Sequence, residues 1–291
     1  MTRRGMSLIE TLVVIAILGT LVGLTLSAVQ RVRASAARLQ CQNNLHQLAL
    51  GLHHHAAARG ALPTGISGKA TPTPFLGWHA RLLPYLEQTA LAEQAERAFA
   101  QDRNFLNDPP HVGLTRAVPL FACPSDARAL TPQTLPGGVR RGLTSYLGVE
   151  GHSATRPNGV LFLDSAVRLG DITDGTSQTI AIGERPPSPN FVLGWWYAGW
   201  GQDQDGEAEM LLGARTRNRY RETPQCPKGP YAFESGRLAD PCAVFHFWSL
   251  HPGGANFAFA DGSVRFISYS ADSILPALAT HAGGESVALP D

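Results

Sequence analysis

The chain has 291 residues, 44% of them hydrophobic and 16% charged, with a formal net charge of +1. That hydrophobic share excludes a disordered chain, and the near-neutral balance excludes recruitment of nucleic acid or acidic partners by bulk charge. With 30 glycines and 21 prolines the sequence is no helical bundle, since both residues interrupt regular elements; strands and long loops are expected beyond the first helix.

The chain opens Met1-Thr2-Arg3-Arg4-Gly5, and residues 6–29 then carry a single charge, Glu10, among Leu, Ile, Val, Ala, Thr, Ser and Gly. As a helix this run covers roughly 36 Å, enough for a hydrocarbon core of about 30 Å. An ordinary secretory signal places its small residues after the apolar segment. Here the glycine comes first, so a cut after Gly5 removes a basic leader and leaves the helix attached. The run Gly5-Met6-Ser7-Leu8-Ile9-Glu10-Thr11-Leu12 resembles the type IV prepilin signature, in which the leader ends in Gly and a Glu stands at the fifth mature position. Met6 replaces the more usual Phe. The resemblance implies cleavage by a prepilin peptidase, N-methylation at Met6, and a meeting of Glu10 with the terminal amine of another pilin-like subunit. An acidic residue inside a spanning helix is costly, which makes its position informative. Arg3 and Arg4 precede the helix while Arg31, Arg33 and Arg38 follow it, so basic residues do not settle orientation. The leader logic places the N-terminus in the cytoplasm, one pass through the inner membrane, and a periplasmic head.

From Gln30 to about Ala58 there is no proline and one glycine, Gly51, before Gly60 and Pro63. The helix is expected to continue, and Cys41, Leu45, Leu48 and Leu52 form one apolar stripe for packing on a sheet. His53, His54 and His55 point about 100° apart on a helix and cannot converge on one metal ion; with His46 they read as a polar face. The expected organisation is a leader at 1–5, a spanning helix at 6–29, its packed continuation at 30–60 and a β-rich head at 61–291.

Within the head, Gly77-Trp78-His79-Ala80-Arg81-Leu82-Leu83-Pro84-Tyr85-Leu86 reads as a short amphipathic segment. Phe121-Ala122-Cys123-Pro124-Ser125-Asp126 reads as a strand ending in a turn, residues 160–163 as a strand, and Asp171-Ile172-Thr173-Asp174-Gly175 as a turn feeding a strand at 178–183. Trp195, Trp196, Tyr197 and Trp200 form an aromatic cluster, expected to pack. Residues 203–241 read as an insertion rather than a second domain. Two alternating runs around Asp261-Gly262 predict a β-hairpin.

Four cysteines, without a C-x2-C pair, admit three disulfide connectivities outside the cytoplasm. Cys226 with Cys242 closes a short Pro-rich loop. Cys41 with Cys123 is the second candidate, against buried free thiols. Asp171 with Asp174, or Asp203 with Asp205, offers hard oxygen ligands for calcium, although neither has the spacing of an EF-hand; no other cofactor is expected. A hydrolase would need His251, Asp261 and Glu184 gathered beside a nucleophile such as Ser249 or Ser263, and no nucleophile motif supports one.

The prepilin-like helix, Cys41-Gln42-Asn43-Asn44-Leu45, the L-L-P-Y-L-E-Q segment, Cys123-Pro124-Ser125-Asp126, Asp174-Gly175-Thr176-Ser177 with Gly183-Glu184, and His251 followed by Asp261-Gly262 together resemble a bacterial prepilin-like family of unknown function with a C-terminal H-x9-D-G signature. The resemblance implies an α+β, type IV pilin-like fold, with a long helix against an antiparallel sheet. It also implies a non-enzymatic, membrane-anchored subunit of a type II secretion or type IV pilus-like system. The alternative is a solitary anchored module that binds carbohydrate or an envelope protein.

Overall fold

The computed structural model describes residues 8–220, 223–285 and 287. Arg3, Arg4, Gly5 and Met6, with the processing expected there, lie outside the described residues. Helix α1 spans Leu8–Arg59, about 78 Å at about 1.5 Å per residue. Near its N-terminus an 18-residue window has a mean hydropathy of 2.5, and none of that window is buried against the rest of the chain. The second half behaves oppositely: Cys41, Leu45, Leu48 and Leu52 are buried, as a stripe of that spacing requires. The helix stops at Gly60, whose φ of +81° places it in the left-handed region and whose N–H donates to the Ala56 carbonyl at 2.8 Å.

Two short helices follow α1, the first packed against it and the second against the first. Helix α2 (Trp78–Leu82) runs into a 3₁₀ turn at Leu83–Tyr85, burying Trp78, Leu82 and Leu83. Helix α3 (Thr89–Gln101) buries Ala92, Ala95, Ala98 and Phe99 along one side. A small ribbon of β1 (Gln133–Thr134) and β2 (Arg140–Arg141) is separate from the main sheet. The main sheet contains β3 (Tyr146–Gly151), β4 (Ile180–Glu184), β5 (Leu211–Gly213), β6 (Gly254–Phe259) and β7 (Val264–Ser268), in the order β5-β3-β4-β6-β7. All neighbours are antiparallel except β5, which runs parallel to β3. A last turn of helix, α4 (Leu275–Leu278), follows β7. This is the mixed α+β, pilin-like arrangement that the resemblance implied.

The sheet separates two cores. Along β6, Ala255, Phe257 and Phe259 join the core away from α1, while Ala258 joins the core beneath it, as the two-residue period of a strand requires. The hairpin pairs Gly254 with Ser268 through Ala258 with Val264. At its turn, Gly262 has φ +89° and Asp261 Oδ1 accepts the Ser263 N–H at 2.9 Å.

Two expectations need correction. Residues 121–126 form no strand, because Pro119 opens a 3₁₀ turn at Pro119–Phe121 and the chain then turns again. Residues 160–163 join no ladder; Leu161 donates to Val149 at 3.2 Å and Leu163 makes a single bridge to Ile66. Val160 and Leu161 are nonetheless fully buried, so the apolar run reports burial and not strand. The stretch 203–241 supplies the edge strand β5 and is closed by the Cys226–Cys242 disulfide.

Candidate functional site

The signature segments meet where α1 crosses the sheet. Cys41 and Asn44 project from the buried stripe of α1, Cys123 follows the 3₁₀ turn, Tyr146 opens β3, Glu184 closes β4, His251 precedes β6 and Asn256 lies within it. Cys41 and Cys123 are joined as a disulfide across a sequence separation of 82. His251 Nε2 lies 3.6 Å from Cys123 Sγ and 3.4 Å from Glu184 Oε1. Glu184 Oε2 accepts both the backbone N–H of Asn256 at 2.7 Å and its side-chain amide at 3.0 Å. Asn256 Oδ1 in turn accepts from Gln42 Nε2 at 3.0 Å, which connects β4 through β6 to α1. Asn44 Nδ2 donates to the Ala122 carbonyl at 3.0 Å and to the Tyr146 hydroxyl at 3.3 Å. Burial, and then the charge of Glu184, push the Tyr146 phenol well above its ordinary pKa.

The donor atoms of Cys41, Cys123, Glu184 and His251 all lie within 4.8 Å of one another. In this state the sulfurs are bonded to each other and neither is a thiolate, so the quartet is a covalent and hydrogen-bonded junction. Ser249 is no nucleophile here: its Oγ donates to the Gly254 carbonyl at 2.7 Å and accepts the His251 N–H at 3.0 Å. Asp261 is not gathered with His251, because its carboxylate closes the turn at the far end of β6. The His251 side chain faces the disulfide and Glu184.

The calcium candidates separate into different structures. Asp171 Oδ2 accepts from Arg168 N–H at 2.9 Å, while Asp174 accepts from Gly283 and Gly284 N–H and from Thr280 Oγ1, so both are committed to local turns. Asp203 and Asp205 join Glu207 around one guanidinium: Arg219 reaches them at 2.7, 2.5 and 2.6 Å. Burial opposes that charge, yet the hydrogen bonds Arg219 donates to Glu207 and Asp205 carry its pKa above the ordinary guanidinium value. Glu150, buried beside them, is pushed well upward by desolvation and then by Glu207 and Asp205. An arginine thus stands where a hard cation would.

Trp195, Trp196 and Tyr197 are buried, and the indole N–H groups of Trp195 and Trp196 donate to the Phe191 and Arg116 carbonyls. Trp200 is 40% exposed and lies edge-on to Phe75 and Phe105. His46 and His55 bond separately to the Gly262 and Ala61 carbonyls and share no metal position. Tyr146, Asn256 and Arg219 were not singled out as site residues from the sequence. Asn256 carried a usable signal, a polar side chain at an inward position of an apolar strand.

No curated protein and no solved structure gives a significant match to the chain. One family model does, over residues 30–273, most of the chain. Its range contains both halves of the disulfide junction, Glu184, His251 and the hairpin turn. The chain therefore belongs to the family described as Protein of unknown function (DUF1559).

Proposed function

We propose that this protein is a membrane-anchored, non-enzymatic, pilin-like subunit. In this reading it is cut after Gly5, methylated at Met6, and able to associate with similar subunits through the spanning half of α1. The observation that carries the reading is the division of α1. Its first half is apolar with a window that is not buried at all, while its second half buries one stripe against the sheet and is disulfide-linked to the loop at Cys123. A signal sequence or a buried core helix would have no reason to combine both halves in one continuous helix. Glu10 sits where a charge is costly in lipid, and a neighbouring terminal amine would offset that cost. Assembly in a type II secretion or type IV pilus-like system follows from the prepilin resemblance.

The deciding measurement is mass spectrometry of the N-terminus of native protein. The expected mass begins at N-methylated Met6, and an intact Arg3-Arg4-Gly5 leader would defeat the reading. The second reading, a solitary anchored module, is favoured by a concave cavity in the head lined by Arg81 and Phe99. Cross-linking beside Glu10 in membranes separates the two, since assembly requires intersubunit contacts along the helix.

A further inference from the structure

We propose that the cavity between the end of α1, α2 and α3 binds a small organic acid, with its acid group held by Arg81 and its apolar body lying on Phe99. The cavity measures about 350 Å³, the scale of a small-molecule site. Its floor is apolar, with Leu76, Ala80, Ala92, Ala95 and Phe99 all buried. Its wall carries two guanidinium groups, Arg59 and Arg81, against a single carboxylate, Glu96; burial and then the two arginines lower the pKa of His55 beside them, which favours its neutral ring.

Arg81 is the decisive residue. Its Nη2 donates only to the neutral hydroxyls of Ser67 and Thr73, and its buried Nε has no acceptor. Among the described residues no carboxylate lies within 4.0 Å of its guanidinium. Arg128, Arg215 and Arg219 are matched by carboxylates, at 2.7 Å to Asp126, at 2.8 Å to Asp272, and to Asp203, Asp205 and Glu207. Arg141 and Arg185 share the unmatched Nε of Arg81, but their guanidinium groups donate to backbone carbonyls and neither lines this cavity. Asp164 is the acidic group that faces Arg81 at longer range, and its Oδ1 is engaged by the Gly68 N–H at 2.8 Å. A largely buried guanidinium with no counter-ion in contact is costly, and its planar fork suits a carboxylate. The apolar floor requires the anion to carry a hydrophobic body, which excludes bare phosphate as the fitting ligand.

The position excludes the protein's own membrane as the source. Arg59 lies about 45 Å along α1 from Val29, beyond the headgroups that flank a spanning segment. The ligand is accordingly a soluble small molecule.

The test uses the full chain in a non-ionic detergent, with 4-fluorophenylacetate as the probe and its uncharged amide as the control, both followed by fluorine NMR. The acid is expected to bind at least tenfold more tightly than the amide, and equimolar inorganic phosphate is expected not to displace it. Arg81→Gln should abolish the preference for the acid. Glu96→Gln, a change at an exposed side chain that leaves packing intact, should tighten acid binding and leave the amide unaffected. Equal binding of acid and amide, absence of binding, displacement by phosphate, or an unchanged preference in either variant would each overturn the proposal.

Discussion

Glu184 holds Asn256 twice through one carboxylate oxygen, by the backbone N–H at 2.7 Å and by the side-chain amide at 3.0 Å, and so fastens β4 to β6 outside the regular ladder. The pair is fully enclosed, and Gln42 extends it to α1. Glu184→Gln keeps the shape but presents a neutral amide to these donors and to His251. It should cost about 1–3 kcal/mol, since charge-assisted bonds in buried sites are the strong ones. Thermal unfolding should show a fall of several degrees, and an unchanged midpoint would remove the pair from the list of fold determinants.

The disulfides should differ in weight. Cys41–Cys123 closes a separation of 82 residues and Cys226–Cys242 one of 16. In the chain-entropy view the longer loop contributes about 4–5 kcal/mol and the shorter about 3 kcal/mol. Paired serine variants compared by denaturant unfolding should lose more stability at Cys41 and Cys123. Equal losses would show that native-state packing, and not loop length, sets both.

Glu209 makes stability depend on pH. Burial raises its pKa from 4.5 to about 8, against the pull of the Trp195 and Gly194 N–H groups and of Arg185. The unfolded carboxyl releases its proton near 4.5 and the folded one near 8, so between those values the folded state holds more protons. Stability therefore falls as pH rises through that window. Glu209→Gln retains an acceptor for both N–H groups and should flatten the decline. Melting curves from pH 5 to pH 8 check it, and an equally steep profile in the variant would assign the slope to other groups.

The acidic loop should answer to its arginine. Arg219→Ala leaves Glu207 buried and Asp205 half-buried without a counter-charge, a loss of up to about 3 kcal/mol, the low end for broken buried ion pairs. Calcium should leave the melting midpoint of the native protein unchanged relative to chelator, because the guanidinium already fills the position. In the variant, calcium should restore part of the loss. A calcium-dependent rise in the native protein would show that the metal displaces or adds to Arg219.

Much of the architecture was legible from periodicity. The stripe from Cys41 to Leu52 and the alternation around Asp261-Gly262 each have one physical solution, a buried helix face and a hairpin. β3 is harder, because it is buried on every residue and lacks alternation, whereas β4, buried likewise, was legible at 178–183 from the turn that precedes it. β5 was invisible, being short, parallel and set among polar residues. The site divided in the same way. Its cysteines, glutamate and histidine stood out as types, while Asn256 takes its role from partners 72 and 214 residues distant and Arg219 from partners 12 to 16 residues distant.

The Cys41–Cys123 bond also decides how the molecule bears load. Tension applied through the spanning half of α1 enters the head at Cys41 and passes directly to Cys123 beside the sheet. Residues 42–122, including α2 and α3 and the cavity lined by Arg81, lie inside the covalent bypass and carry none of the pull. The helix can be drawn upon as an anchor without being peeled from the domain it supports.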